Sequence, residues 1–128
     1  MTDRELLSRA KAASLNAYVP YSRFAVGAAL ECTDGTVFTG CNVENAALGS
    51  TICAERTACC KAVSEGHREF ARIAIYADSE NWCTPCGACR QVMGEFKINR
   101  IIMANLKGDK KVVTLEEVLP FAFSEKDL

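Results

Sequence analysis

The sequence predicts a three-layer α/β/α fold around a five-stranded mixed sheet, on three observations. Apolar residues recur with helical and strand periods in the order α-β-β-α-β-α-β-β-α, which asks for helices on both faces of one sheet. Asp34-Gly35 stands between two strand-like runs, a strong hairpin signal. Only about five residues separate the last two strand-like runs, too few for the roughly dozen of a parallel crossover, so the last strand returns antiparallel.

Each element has a local reason. Thr2 and Glu5 have capping-box spacing, and Leu6, Leu7, Ala10, Ala13 and Ala17 form one apolar stripe, predicting a helix over 3–17 that Pro20 cannot continue. Residues 24–32 and 36–43 read as strands flanking the hairpin turn, and 44–50 as a loop. Residues 53–65 read as a helix stopped by Gly66, and the apolar 71–77 as a buried strand. A helix near 86–96 and strands over 100–106 and 111–114 follow. Thr114 and Glu117 cap a short terminal helix that ends at Pro120, and Lys107, Lys110 and Lys111 sit at a solvated hairpin tip.

The length of 128 residues suits one domain over 1–128, and 49% hydrophobic with 24% charged residues is ordinary globular composition. Charged Asp3, Arg4 and Glu5 follow Met1, so no secretory signal is read, and no apolar run approaches the roughly 18 residues of a membrane span. A cytoplasmic chain is expected, with reduced thiols. Its 8 Cys against 1 His then call for packing, metal or redox chemistry. Net charge is −1 with no long basic run, which argues against polymeric nucleic acid and for a small, near-neutral ligand.

Reactive groups concentrate in Cys53-Ala54-Glu55-Arg56 and Pro85-Cys86-Gly87-Ala88-Cys89-Arg90, both at predicted helix N-termini, where amides and the helix dipole favour thiolates. Cys86 and Cys89 share a helical face, and Cys53 can add a third sulfur. Three sulfurs leave one tetrahedral zinc position open, as a catalytic Zn²⁺ requires. Glu55 can stand near that position as a proton-carrying base without ligating, and Arg56 can donate to the sulfurs and offset their charge. His67 lies in a Gly-His-Arg loop outside both segments.

Cys-Ala-Glu followed by Pro-Cys-x-x-Cys matches the zinc deaminase signature with Cys in place of the first His. Residues 18–24 (Tyr-Val-Pro-Tyr-Ser-Arg-Phe), 40–46 (Gly-Cys-Asn-Val-Glu-Asn-Ala), 53–58 and 85–91 resemble the small homotetrameric cytidine deaminases, nearly end to end. The resemblance implies that Cys53, Cys86 and Cys89 bind zinc. It implies that Glu55 moves protons from water to N3 and then to the departing C4 amine of cytidine or 2′-deoxycytidine, in pyrimidine salvage. Asn42 and Glu44 would hold the ribose, Phe24 would contact the nucleoside, and the backbone near Ala54 and Cys86 would read the base edge. Phe123 would come from a neighbouring subunit to stack on the pyrimidine. Leu48 stands where the family usually has Tyr, Phe121 where smaller or polar residues are common, and Cys83 is an extra sulfur.

Other readings compete. Trp82-Cys83-Thr84-Pro85-Cys86 has the form of a thiol-disulfide oxidoreductase centre using Cys83 and Cys86, although Pro120, the only later proline, does not precede a strand. Cys83 as a fourth ligand would close the zinc site and make it structural. Within the deaminases, a cytosine nucleoside analogue such as an aminoacyl-nucleoside antibiotic is the alternative substrate. Cys32, Cys41, Cys59 and Cys60 are expected to pack as small apolar residues. Arg90 reads as a surface helix residue.

Overall fold

A computed structural model describes residues 1–128. In chain order the elements are α1 (Asp3–Ser14), β1 (Val26–Cys32), β2 (Val37–Cys41), α2 (Ala54–Ser64), β3 (Phe70–Ala77), α3 (Gly87–Glu95), β4 (Ile101–Asn105), β5 (Lys110–Val113) and α4 (Leu115–Val118). Single 3₁₀ turns occupy Leu48–Ser50 and Glu125–Asp127. The strands lie in the order β2-β1-β3-β4-β5. Only β3 and β4 are parallel; β1 runs antiparallel to both β2 and β3, and β5 returns antiparallel to β4. The five-stranded mixed sheet and its antiparallel last strand are those the spacing predicts.

Side-chain alternation along the strands divides the core in two. Ala28, Leu30, Ile73, Ile75, Ile101 and Met103 pack with Ala54, Ala58, Ala62, Cys89 and Met93 of α2 and α3. The opposite set, Ala29, Ala74, Tyr76 and Ile102, packs with Leu6 and Ala10 of α1. Two strand glycines let the helices sit close. A Cβ at Gly27 would stand 1.9 Å from the Ala10 carbonyl oxygen of α1, and one at Gly40 would stand 2.6 Å from both Ala54 O and Ala58 N of α2. At the start of α1 the Thr2/Glu5 capping box is formed. Arg72 of β3 then pairs with Asp3 at 2.6 Å and with Glu31 of β1 at 2.8 Å, fastening the helix start to the sheet.

α1 ends three residues before the predicted position. Ala17 fits the helical stripe, but the backbone beyond Ser14 is claimed by another partner. The Tyr18 N–H donates to Asn42 O at 3.0 Å, and Glu44 N–H donates to Tyr18 O at 2.8 Å. The segment that leaves β2 is thus held against the segment that leaves α1. Val43 in turn exchanges both backbone hydrogen bonds with Ile52, at 2.9 and 3.0 Å. This bridge closes the 44–51 loop at its base and delivers Cys53 to the start of α2 beside Asn42.

Candidate metal centre and active site

The two reactive segments meet at the helix N-termini. Cys53 is the N-cap of α2 and Cys86 the N-cap of α3, both with extended backbone and neither with a capping side-chain bond. Their sulfurs are 3.6 Å apart, and with Cys89 Sγ they form a group lying within 4.8 Å of one another. Cys86 is exposed, Cys53 half-buried and Cys89 fully buried, so the group sits in the wall between solvent and core. A hydrogen bond from the Cys89 thiol, opposed by burial and assisted by Arg56, lowers the Cys53 thiol below its ordinary range. The same bond raises the Cys89 thiol. Of the two, Cys53 is thus the thiol that this environment favours as thiolate.

Arg56 donates to Cys53 Sγ at 3.5 Å and to Thr51 O at 3.4 Å, and its Nε is buried without a partner. Its position beside the sulfurs is the one read from the sequence. Glu55, on the first turn of α2, is 5% exposed. Burial, and after it the Cys53 charge, pushes its carboxyl up to about 7 in the metal-free chain. Three sulfurs make a donor set suited to a zinc-class ion with one position left for another ligand, a guanidinium and two helix N-termini offset their charge, and Cys83 lies outside the group.

A pocket of about 190 Å³ opens over this group. Phe24, Asn42, Ala54 and Glu55 line it with Cys53 and Cys86, and so do Thr51, Cys83 and Thr84, which sequence reasoning did not assign to a substrate. Thr51 had a weak signal, being two residues before Cys53 in an extended segment. The Asn42 amide is largely committed to backbone: Val26 N–H donates to its Oδ1 at 2.9 Å, and its Nδ2 donates to Phe24 O at 2.7 Å. One lone pair and one N–H remain for a ligand. Glu44 stands outside the pocket lining. Its carboxylate accepts from the backbone N–H groups of Tyr21 and Ser22, at 3.0 and 3.1 Å, and from the Ser22 hydroxyl. The Ser22 hydroxyl above all holds that carboxyl below its usual range.

Phe123 is 60% exposed and borders a separate surface cleft with Phe121, so the fold of one chain does not bring it to the thiols. Gln91 of α3 anchors its carbonyl at 2.9 Å. Leu48 is 73% exposed. Arg90 is not a free surface residue: it donates to Pro85 O at 2.8 Å and Val118 O at 2.9 Å, joining the approach to Cys86 to α4. A cleft of about 410 Å³ between α1 and the β4–β5 edge is lined by no thiol, imidazole or carboxylate.

Residues 1–105 match the family described as the cytidine and deoxycytidylate deaminase zinc-binding region. Among curated proteins, the cytidine deaminase of Sporosarcina psychrophila is 51% identical over 130 residues, covering 100% of this chain and 96% of its own. That of Halalkalibacterium halodurans is 50% identical over 129 residues, covering 98% of each. The crystal structure of cytidine deaminase from Burkholderia pseudomallei superposes with a TM-score of 0.93 at 49% identity, covering 96% of this chain and 100% of that one.

Proposed function

The chain belongs to the cytidine deaminase family, and from that premise we propose that Cys53, Cys86 and Cys89 hold Zn²⁺ and that Glu55 is the catalytic base. The enzyme deaminates cytidine hydrolytically: water enters at C4 of the pyrimidine, and ammonia leaves as uridine forms. We extend the substrate to 2′-deoxycytidine, the setting to pyrimidine salvage, and the chain to a single cytoplasmic catalytic domain. The observation that carries the reading is the grouping of three sulfurs, two of which line one pocket together with the buried Glu55 carboxyl.

When bound, zinc supplies an electrophilic centre that acidifies water. Glu55 would take a proton from the attacking water, give it to pyrimidine N3, and later deliver a proton to the departing amine. Its burial suits this shuttle, because a carboxylate in apolar surroundings holds a proton that a solvated one releases. Arg56, donating toward Cys53, offsets the charge that three thiolates would place in the wall. Asn42 meets the ribose with its remaining N–H and lone pair, and Glu44 meets it from the rim. Phe24 lies against the nucleoside, and the backbone at Ala54 and Cys86 reads the base edge.

Phe123 completes the pocket from a neighbouring subunit in a homotetramer. Its exposure supports that role, as do the exposed apolar side chains of Phe24, which lines the pocket, and of Val43, Leu48 and Ile52. The sharing of sites is tested by mixing Glu55→Ala and Phe123→Ala chains: activity recovered above either parent supports it, and none recovered counts against it.

The central test joins zinc analysis to an ultraviolet assay on cytidine, 2′-deoxycytidine and cytosine. Stoichiometric zinc with turnover of the two nucleosides is expected, and Cys86→Ser is expected to lose both. Turnover without zinc, or zinc retained at full activity in Cys86→Ser, overturns the assignment. Disulfide reduction by a metal-free protein would favour the oxidoreductase reading at Cys83 and Cys86.

A further inference from the structure

α2 ends in a second group of ligand-type side chains that the reaction does not use. Cys32 at the end of β1, Asp34 in the β1–β2 turn and His67 after α2 each present one donor atom, and these atoms lie within 4.8 Å of one another. We propose that Cys32, Asp34 and His67 form a second site for a zinc-class divalent cation, separate from the thiol group at the other end of α2.

The donors are held by structure and not by chance proximity. Glu65, Gly66 and His67 form the closing turn of α2: Gly66 N–H donates to Val63 O and His67 N–H to Ala62 O, each at 3.0 Å, with Gly66 at a φ of +93°. That is the Schellman pattern, and it fixes the His67 backbone. The ring packs edge-on against Phe38, with centroids 5.0 Å apart. Asp34 is set by its own turn, since its Oδ1 accepts from Thr36 N–H at 2.9 Å. Its Oδ2 then lies 3.3 Å from His67 Nε2. Cys32 is 2% exposed and borders the same cleft, which is about 320 Å³ and opens to solvent, so an ion has a way in.

Three further features favour a cation here. The donors are a soft sulfur, a borderline imidazole and a hard carboxylate, a mixture that suits Zn²⁺ better than Mg²⁺ or Ca²⁺. Tetrahedral zinc ligands stand about 3.5 Å apart at ordinary bond lengths, and Asp34 Oδ2 and His67 Nε2 stand 3.3 Å apart. The C-terminal end of a helix also attracts positive charge. His67 Nδ1 is buried without a partner, so the Nε2 contact with Asp34 is the ring's one polar contact and leaves the imidazole incompletely satisfied. Burial first, then the charges of Asp34 and Glu31, hold the Cys32 thiol above its usual range. A dication reverses that balance and releases a proton from the sulfur. Arg68 and Glu69 border the cleft with opposite charges and offset each other.

The site would clip the β1–β2 hairpin tip to the loop between α2 and β3. The test is a difference in zinc count, so it does not depend on what Cys53, Cys86 and Cys89 hold. Wild type, His67→Ala and Asp34→Ala are equilibrated with micromolar free Zn²⁺, and metal per chain is measured by atomic emission. Wild type should hold one zinc more than either variant, with equal turnover of cytidine in all three. Co²⁺ offered in place of zinc should give a thiolate-to-cobalt absorption component that Cys32→Ser removes. Equal zinc in wild type and both variants, or a cobalt spectrum unchanged by Cys32→Ser, overturns the proposal. Asp34 is the more exposed of the two, at 58% against 28% for His67, so Asp34→Ala is the variant that disturbs packing least.

Discussion

The two ends of α2 gather cysteine-containing groups by opposite means. At the start, Cys53 is an N-cap whose sulfur meets those of the first turn of α3, under two helix N-termini that favour negative charge. At the far end, His67 is fixed by the closing turn and meets side chains of a hairpin, where the helix end favours positive charge. The first end has a pocket, a buried carboxylate and a guanidinium. The second has a solvent-open cleft and no buried carboxylate. A cluster of ligands is thus not by itself an active site; what separates the two is the buried Glu55 carboxyl that shares a pocket with Cys53 and Cys86. Substitutions at each end should therefore differ in kind, those at the first acting on turnover and those at the second on stability and metal content alone.

The largest effect is expected from Glu55→Ala. It should retain the metal of wild type and lower kcat by about 10²–10⁴-fold or more, the range of a lost general acid–base. A variant with near-normal turnover would remove the base from the mechanism and with it the distinction between the ends. Zinc content measured beside kcat separates a lost base from a lost metal.

Gly40→Ala tests whether the first end depends on exact helix placement. A Cβ there meets Ala54 O and Ala58 N at 2.6 Å, which are backbone atoms and cannot swing aside. Stability should fall by about 1–3 kcal/mol from overpacking. Because the displaced turn carries Cys53 and Glu55, kcat should fall as well, by roughly 10²-fold for a shift near 1 Å. Denaturant unfolding together with steady-state kinetics reads both.

Gly66→Ala is the matching change at the other end and should be smaller. Nothing lies within 4 Å of a Cβ at Gly66, so the cost is the left-handed backbone alone, at a φ of +93°. About 1–2 kcal/mol of stability should be lost, with kcat unchanged and His67 less firmly held. Loss of turnover in Gly66→Ala would mean that strain travels the length of the helix.

The sequence made the first end far easier to read than the second. Cys53, Glu55, Cys86 and Cys89 lie in two short motifs whose spacing states their chemistry, and both motifs open helices that the apolar pattern reveals. Cys32 and His67 are 35 positions apart, and neither belongs to a motif. They meet only because β1 pairs with β3, placing Cys32 opposite Phe70. Reading Cys32 as a packing residue agrees with its burial but says nothing of its neighbours. The same limit explains Arg90, whose partners at Pro85 and Val118 are set by how α4 docks. It also explains α1, where Ala17 obeys the helical period but the neighbouring Tyr18 backbone bonds to a distant strand end.

The smallest effect is expected from Cys83→Ser, and it bears on whether the proposed metal site is open or closed. Cys83 borders the pocket with Glu55, yet its sulfur is not in the group formed by Cys53, Cys86 and Cys89. Burial, with the charges of Glu55 and Cys53, pushes its thiol up to about 12, so it meets the pocket as a neutral wall. A fourth thiolate would fill the tetrahedron and leave water no place beside the base. Cys83→Ser should therefore keep full zinc content, with any change confined to KM through the altered pocket wall. Zinc lost from this variant would make Cys83 a ligand and the site a closed, structural one, and Glu55 would then have no water to act on.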